Sequence, residues 1–230
     1  MNKEKEFNLT SLEKKACIEL ARKSINYFFH DESQLKLNET EISLLPKKLL
    51  EKKACFITLT IKESGEASGA TRHTSRDQAK QSFADPEKQK LFSEPGWRLR
   101  GCIGHLSAIQ PLYKDIIENS LSAAFSDPRF PGITQSEFKN IKIEVSILTD
   151  PFDFEFKTSK ELLNSLVVGK DGLIIKKGYH SATFLPSVWD EIKSKEEFLS
   201  HLCQKAGLLP NEWTKQGIKV QKYYAIKAKE

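Results

Sequence analysis

The sequence predicts an α+β fold in which helices pack on mostly antiparallel β-sheets. Segments with the apolar spacing of helices and of strands are mixed, without the regular β–α–β order of a parallel sheet. The Asp171-Gly172 pair is typical of a tight hairpin turn and therefore favours antiparallel pairing. The chain has 230 residues, 39% of them hydrophobic and 29% charged, so it can bury a substantial core. We expect residues 1–230 to form one domain.

The N-terminal part begins with an amphipathic helix over about 10–29. Thr10 and Glu13 have the spacing of a capping box, and apolar residues recur behind them every three or four positions. Alternating apolar and polar residues then predict two strands, over 54–62 and 98–103.

The central part continues with two helices and a strand. Pro111 can open the first helix, because proline fits a helical position where the backbone N–H has no partner. Thr134 and Glu137 form a second capping box, which predicts a short helix ending near Phe138. Residues 141–149 alternate cleanly between aliphatic and polar side chains and predict a strand.

The C-terminal part contains shorter elements. Ser194 and Gly207 have the positions of an N-cap and a C-terminal stop for one helix. The predicted elements are a helix (159–165), a hairpin (166–169 and 173–177), a strand (182–185), the capped helix (195–206) and a final strand (218–227).

A long polar segment interrupts these elements between the first two strands. Residues 63–96 carry little apolar periodicity and exceed the usual length of a loop in a compact domain. We interpret 63–96 as a flexible insertion. The functional alternative is a lid over a site, because long loops can carry function.

Composition and motifs exclude several classes of protein. The apolar runs are too short for a membrane span, and the polar N-terminus does not resemble a signal peptide, so we expect a cytoplasmic protein. The net charge is +5, but acidic residues lie among the basic ones throughout, which disfavours nucleic-acid binding. The five histidines are dispersed, and no metal-ligand or phosphate-loop motif occurs. The sequence therefore predicts neither a metal nor a cofactor.

The densest group of chemically competent residues surrounds Cys102. Arg98 and Arg100 precede this cysteine and His105 follows it, so nearby positive charge could favour a nucleophilic thiolate. Gly101 and Gly104 flank it and could adopt positive φ angles in a tight turn. Three interpretations stay open: a small residue packed in a turn, a reactive thiol, or a wall of a binding site. Cys17, Cys55 and Cys203 lie among apolar neighbours and are interpreted as inert thiols.

Two further segments supply charged side chains. Arg129 could bind a carboxylate or phosphate in two-point fashion, with Asp127 holding it in place, although an ordinary surface ion pair would show the same residues. Glu144 and Ser146 lie on the non-aliphatic side of their strand. That side faces either water or a polar pocket.

These segments together resemble the AMMECR family, whose bacterial branch is known as AmmeMemoRadiSam system protein A. The matching motifs are Leu-Arg-Gly-Cys-Ile-Gly (99–104), Asp-Pro-Arg-Phe (127–130), Glu-Val-Ser (144–146), Gly-Lys-Asp-Gly-Leu (169–173) and Thr-Phe-Leu-Pro-Ser-Val-Trp (183–189). The resemblance implies two interwoven lobes. It also implies a modification pathway with a Memo-like protein and a radical SAM enzyme as partners. Two departures are the 63–96 insertion and His180, which stands where relatives commonly carry arginine.

Three functions are compatible with these observations. The first is an enzyme or enzyme subunit acting on a small anionic substrate, the second a non-catalytic scaffold for the pathway proteins, and the third an RNA-binding regulator. For the first, we expect catalytic roles for Cys102, Glu144 and His105. The expected substrate-binding residues are Arg100, Gly101, Gly104, Asp127, Arg129 and Ser146.

Overall fold

The computed structural model describes residues 7–62, 95–192 and 194–230. Its helices are α1 (Ser11–Asp31), α2 (Glu39–Ser43), α3 (Leu112–Phe125), α4 (Gln135–Phe138), α5 (Ser159–Ser165) and α6 (Lys195–Lys205). Its strands are β1 (Cys55–Lys62), β2 (Trp97–Gly104), β3 (Ile141–Leu148), β4 (Phe152–Phe154), β5 (Gly172–Lys177), β6 (His180–Phe184), β7 (Lys219–Tyr223) and β8 (Ala225–Lys229). The α+β fold with antiparallel sheets is thereby confirmed.

The chain forms two compact units that are interwoven in sequence. Unit 1 contains the described residues up to Ile147 and, in addition, Lys227–Glu230. Unit 2 is the continuous segment Leu148–Ile226. The chain thus leaves unit 1 at the last residue of β3 and returns to it within β8.

Unit 1 is a four-stranded sheet covered by helices. Its strand order is β2-β1-β3-β8, and β1 pairs antiparallel with both β2 and β3. The aliphatic side chains of β1 and β3 are buried, and α3 packs against β1 and β2 while α1 packs against α3. The predicted capping box of Thr10 and Glu13 opens α1, and that of Thr134 and Glu137 opens α4. The alternation of β1 and β3 therefore divides the sheet into an apolar face under the helices and a second, more polar face.

Unit 2 is a second four-stranded sheet, with strand order β4-β7-β5-β6. Its apolar core contains Trp189 and Phe198, whose rings stack with centroids 3.8 Å apart. Beside that core lies a buried ion pair, in which Lys222 Nζ is 3.0 Å from Asp171 Oδ2.

Two local predictions in the C-terminal part differ from the structure, and one strand was not predicted. The predicted hairpin with strands 166–169 and 173–177 is wrong, because β5 forms its hairpin with β6 instead. Asp171-Gly172 is not a hairpin tip, since Gly172 begins β5 without a positive φ. The buried Asp171 carboxylate accepts hydrogen bonds from the Val167 N–H and from Lys222. The predicted strand 218–227 is divided into β7 and β8, and β4 was not predicted.

The predicted insertion lies outside the described residues, except for Pro95 and Gly96, which form a turn before β2. Its flexibility and its role as a lid therefore stay predictions. Among the helices that the structure describes, none combines the length and apolar character needed to cross a bilayer.

Candidate functional site

The second face of the unit 1 sheet brings together polar residues from distant parts of the sequence. Thr58, near the middle of β1, lies opposite Cys102 on β2 and opposite Glu144 on β3. Residues paired across antiparallel strands project to the same side, so these three side chains are neighbours. Thr58 Oγ1 lies 3.2 Å from Cys102 Sγ. We name the face that carries Thr58, Cys102, Glu144 and Ser146 the polar face.

Glu144 is the most strongly connected residue of the polar face. Its carboxylate accepts a hydrogen bond from Ser146 at 2.9 Å and lies 3.4 Å from Lys227 Nζ and 2.9 Å from Lys229 Nζ. Burial by itself would raise the pKa of Glu144, but the two ammonium groups and the Ser146 hydroxyl outweigh it and lower the pKa. Glu144 is therefore a carboxylate at neutral pH, with weakened ability to accept a proton.

Cys102 is half-buried within β2 and does not lie in a turn. Burial raises the pKa of its thiol above the ordinary value, and the carboxylates of Asp127 and Glu144 act in the same direction. The Thr58 hydroxyl and the Arg129 guanidinium lower this pKa but do not overcome burial. The local field therefore favours the protonated thiol, whereas the arginine-rich sequence had suggested a stabilised thiolate.

Asp127 and Arg129 hold the backbone of Cys102 at the outer edge of the sheet. The Cys102 N–H donates to Asp127 Oδ2 at 2.8 Å, and Arg129 Nη2 donates to the Cys102 carbonyl oxygen at 3.2 Å. The two side chains also pair with each other, through distances of 3.0 and 2.7 Å. This arrangement satisfies backbone groups that an edge strand otherwise leaves open. The pair thus positions Cys102, and the charge of Arg129 is largely balanced by Asp127.

Arg100 occupies an irregular position in β2. The register between β1 and β2 shifts so that Leu59 pairs with Gly101 and Thr60 with Leu99, which leaves Arg100 as an extra residue. Its buried guanidinium donates to Glu137 at 2.9 and 3.2 Å and to the carbonyl oxygens of Pro131 and Gly132. Arg100 therefore stabilises the segment around α4 and is not brought to the polar face.

Gly101 and Gly104 serve close packing and do not adopt positive φ angles. A Cβ atom on Gly101 would lie 2.1 Å from the carbonyl oxygen of Ala123 in α3. A Cβ atom on Gly104 would lie 2.4 Å from the carbonyl oxygen of Cys55. Both contacts are with backbone, which cannot move aside easily, so packing explains why glycine stands at both positions.

His105 is directed away from Cys102. Its Nδ1 atom lies 2.7 Å from Asp115 Oδ1, on helix α3. Because α3 packs on the apolar face of the sheet, His105 and the Cys102 sulfur are on opposite sides of β2. The structure thus brings Cys102, Glu144 and Ser146 together, with Asp127 and Arg129 at the edge.

Four residues near Cys102 and His105 were not predicted from the sequence to contribute to a site: Thr58, Asp115, Lys227 and Lys229. Thr58, Lys227 and Lys229 occupy alternating positions on their strands. Because successive side chains of a strand point to opposite faces, the alternation indicated the face on which these three lie. No sequence pattern indicated a special role for Asp115, because an acidic residue in the first turn of a helix is ordinary. No group of three or more His, Cys, Asp or Glu within 7–62, 95–192 and 194–230 is arranged to hold a metal ion.

Comparison with known proteins identifies relatives along most of the chain. The AMMECR1 family model matches residues 18–228. A protein of Methanosarcina barkeri is 36% identical over 208 residues, which cover 90% of this chain and 85% of that protein. A protein of Methanocaldococcus jannaschii is 43% identical over 140 residues, which cover 59% of this chain and 68% of that protein.

A solved structure is similar as well. The crystal structure of an uncharacterised protein from Pyrococcus horikoshii has a TM-score of 0.69 and 30% sequence identity, and the match covers 96% of this chain and 93% of that one. The similarity therefore extends through both units. With the family model matching 211 residues, from 18 to 228, the chain belongs to the AMMECR1 family.

Proposed function

We propose that this chain is a component of a modification pathway of the AmmeMemoRadiSam type and that its polar face binds a small anionic substrate. Its partners in that pathway would be a Memo-like protein and a radical SAM enzyme. The convergence of Cys102, Thr58 and Glu144 on adjacent strands, with two lysines of β8 beside them, is the observation that carries the proposal.

The charges on the polar face support an anionic ligand. Lys227 and Lys229 share the single carboxylate of Glu144, so this group of three carries net positive charge. Both lysine side chains are substantially exposed, at 40% and 54%. Ser146 and Thr58 add hydroxyl groups that can donate hydrogen bonds to an anion. The lysines thus take the role that the sequence had assigned to Arg100 and Arg129.

The protonated thiol of Cys102 fits binding better than nucleophilic attack. A thiol must lose its proton to attack, and the two carboxylates that act on it, Asp127 and Glu144, are weak bases. Arg129 lowers the pKa of Asp127, and the lysine partners of Glu144 lower the pKa of Glu144. In the proposed site, Cys102 is therefore a neutral wall that contacts the ligand, while Asp127 and Arg129 fix its backbone.

Inorganic phosphate is the probe for this site. Titration of the full chain with phosphate, followed by backbone NMR, should shift the amides of Thr58, Cys102 and Glu144. We expect the double variant Lys227→Gln/Lys229→Gln to bind at least about tenfold more weakly, because charge-assisted hydrogen bonds contribute about 1.5–3 kcal/mol each. The affinity should also fall as the salt concentration rises.

The matched control is the double variant Lys176→Gln/Lys219→Gln, which removes the same charge from two exposed lysines paired across β5 and β7. Its phosphate affinity should equal that of the unchanged chain. Shifts that spare the polar face, or equal weakening in both double variants, would contradict an anion site there.

The protonation of Cys102 is open to a separate test. Alkylation by iodoacetamide, measured at Cys102 by peptide mass spectrometry across pH, should have a midpoint above that of a free thiol. Glu144→Gln should lower this midpoint, because it removes a nearby negative charge, and Thr58→Val should raise it, because it removes a stabilising hydroxyl. At pH 7, the fraction of Cys102 present as thiolate should stay below the few per cent of an ordinary cysteine. The alkylation rate at pH 7 should be correspondingly low. A midpoint near neutral pH would instead make Cys102 an activated nucleophile.

A non-catalytic scaffold is the second candidate. The specific observation in its favour is that Arg100 and Arg129 are both engaged by carboxylates of this chain, at Glu137 and Asp127. If phosphate does not bind the polar face and the chain co-purifies with the Memo-like or radical SAM protein, the scaffold interpretation replaces the substrate site.

A further inference from the structure

A buried carboxylate on the helix side of unit 1 collects hydrogen bonds from four donors. Asp115 in α3 is 1% exposed. Its Oδ1 atom accepts from His105 Nδ1 at 2.7 Å and from Gln110 Nε2 at 3.1 Å. Its Oδ2 atom accepts from the Cys55 N–H at 2.8 Å and from Asn119 Nδ2 at 3.1 Å. The carboxylate is thus fixed in position by main-chain and side-chain donors from three segments.

This arrangement determines how His105 carries its proton. A carboxylate accepts hydrogen bonds, so the 2.7 Å contact with Asp115 places the imidazole N–H at Nδ1. Asn119 Nδ2, a donor, also lies 3.3 Å from Nδ1, but its shorter contact, at 3.1 Å, is with Asp115 Oδ2. The lone pair of the neutral ring is then on Nε2. The His105 side chain is 34% exposed, and its buried contact is made through Nδ1, so the exposed edge carries Nε2. His105 therefore presents an oriented proton acceptor at the protein surface.

We propose that His105 and Asp115 form a proton-accepting site, separate from the polar face, for a neutral or cationic ligand that carries an O–H or N–H group. In the proposed step, the ligand's O–H or N–H bond breaks and a bond from Nε2 to hydrogen forms. The electron pair stays on the ligand atom, which becomes the stronger nucleophile. Asp115 is a positioning residue, since it touches the imidazole and stabilises the imidazolium that results.

The surroundings select the ligand by charge. Gln110 Nε2 also donates to Glu118 at 2.7 Å, which brings a second carboxylate close to Asp115. Two carboxylates near the imidazole oppose an anionic ligand and favour a neutral or cationic one. Leu106 and Ile109, on the loop that follows His105, are 52% and 66% exposed and offer apolar contact. The polar face, with its lysine pair, has the opposite preference.

The buried thiol beside this site does not compete for the proton. The titratable groups that face this site are Asp115 and Glu118 of α3 and Cys55 of β1. Burial, reinforced by Asp115, raises the pKa of the Cys55 thiol well above its ordinary value, so this thiol stays protonated. Glu118 is exposed but contacts Gln110 and not the imidazole, so His105 is the exposed proton acceptor that Asp115 orients.

Nitrogen NMR on the full chain tests the tautomer directly. At a pH where the imidazole is neutral, the ¹⁵N spectrum should show a protonated Nδ1 and an unprotonated Nε2 for His105. The exposed His201 on α6 is the internal reference. A protonated Nε2 with an unprotonated Nδ1 at His105 would overturn the proposal, and this result needs no substitution.

Diethyl pyrocarbonate tests the reactivity of Nε2. The unprotonated nitrogen attacks a carbonyl carbon of this reagent, a nitrogen–carbon bond forms, and ethyl carbonate leaves as the carbon–oxygen bond breaks. The Nδ1 proton is then lost to solvent, which leaves the acylated ring neutral. Modification of His105, followed by peptide mass spectrometry, should slow about tenfold in Asp115→Asn. Positioned acid–base groups raise reaction rates by about a hundredfold or more. We expect a smaller factor here, because the protein does not bind this reagent.

Glu118→Gln is the matched control, since Glu118 contacts Gln110 and not the imidazole. It should leave the modification rate of His105 unchanged, as should Cys102→Ser on the other side of β2. An unaltered modification rate of His105 in folded Asp115→Asn would overturn the proposal. Because the variant Lys227→Gln/Lys229→Gln reports on the polar face and Asp115→Asn on the His105 site, the two sites can fail independently.

Discussion

Asp171→Ala is expected to lower the free energy of unfolding by about 3–5 kcal/mol, the range for breaking a buried ion pair by removing one partner. Asp171 and Lys222 are 1% and 5% exposed and lie within unit 2. Without its carboxylate partner, the ammonium group of Lys222 would remain buried and uncompensated. Urea unfolding followed by tryptophan fluorescence measures the change, because Trp189 is fully buried in the same unit.

The surroundings of Lys222 explain why this cost is large. Its ammonium group donates to the Ser165 carbonyl oxygen at 2.6 Å and lies 4.4 Å from the centroid of the Phe154 ring. These contacts keep the charge inside the unit when Asp171 is removed. The same substitution also leaves the Val167 N–H without its carboxylate acceptor.

Two comparisons separate the ion pair from a general loss of charge. Lys176→Ala, on an exposed position of β5, should change stability by no more than about 0.5 kcal/mol. The double variant Asp171→Ala/Lys222→Ala should cost less than the sum of the two single variants, because the residues interact directly. Additive single effects, or a loss below about 1 kcal/mol for Asp171→Ala, would contradict a coupled buried pair.

Gly101→Ala is expected to destabilise the protein by about 3 kcal/mol, at the upper end of the cost of overpacking a core. The added methyl group would lie 2.1 Å from the carbonyl oxygen of Ala123 and 3.1 Å from its carbonyl carbon. Relief requires β2 and α3 to separate, since neither contact is with a flexible side chain. Chemical denaturation of the variant measures the loss.

Gly132→Ala is the matched control. A Cβ atom at Gly132 would come no closer than 3.5 Å to a neighbouring atom, the ring of Phe125, which is ordinary contact. This variant should stay within about 0.5 kcal/mol of the unchanged chain. Equal stability of the Gly101 and Gly132 variants would show that β2 does not approach α3 as closely as described.

Much of unit 1 could be predicted from local sequence signals. The capping boxes of Thr10 and Thr134 and the alternation in β1 and β3 specify their elements through neighbouring residues alone. The hairpin prediction around Asp171 was wrong. Its ion-pair partner, Lys222, lies 51 residues away in the sequence, and a local pattern cannot indicate a partner at that separation. The Asp-Gly signal describes backbone preference, whereas in the structure Gly172 begins β5 without a positive φ and the Asp171 carboxylate is buried.

The candidate site was predictable to a smaller extent. Alternation placed Glu144 and Ser146 on the non-aliphatic side of β3, and the structure adds Cys102 beside them. The position of Arg100 was not predictable, because one extra residue in β2 moves a side chain out of the expected alternation. The direction of His105 likewise depends on Asp115, whose role is visible only when α3 is packed on the sheet.

The return of β8 to the sheet of unit 1 has a consequence for synthesis on the ribosome. Every residue of unit 2 emerges before Lys227, whereas β3 must wait for β8 to occupy its outer side. Unit 2 is continuous in sequence and can fold as soon as it has emerged. Until then the nascent chain exposes one edge of β3, which leaves that strand open to pairing with another chain.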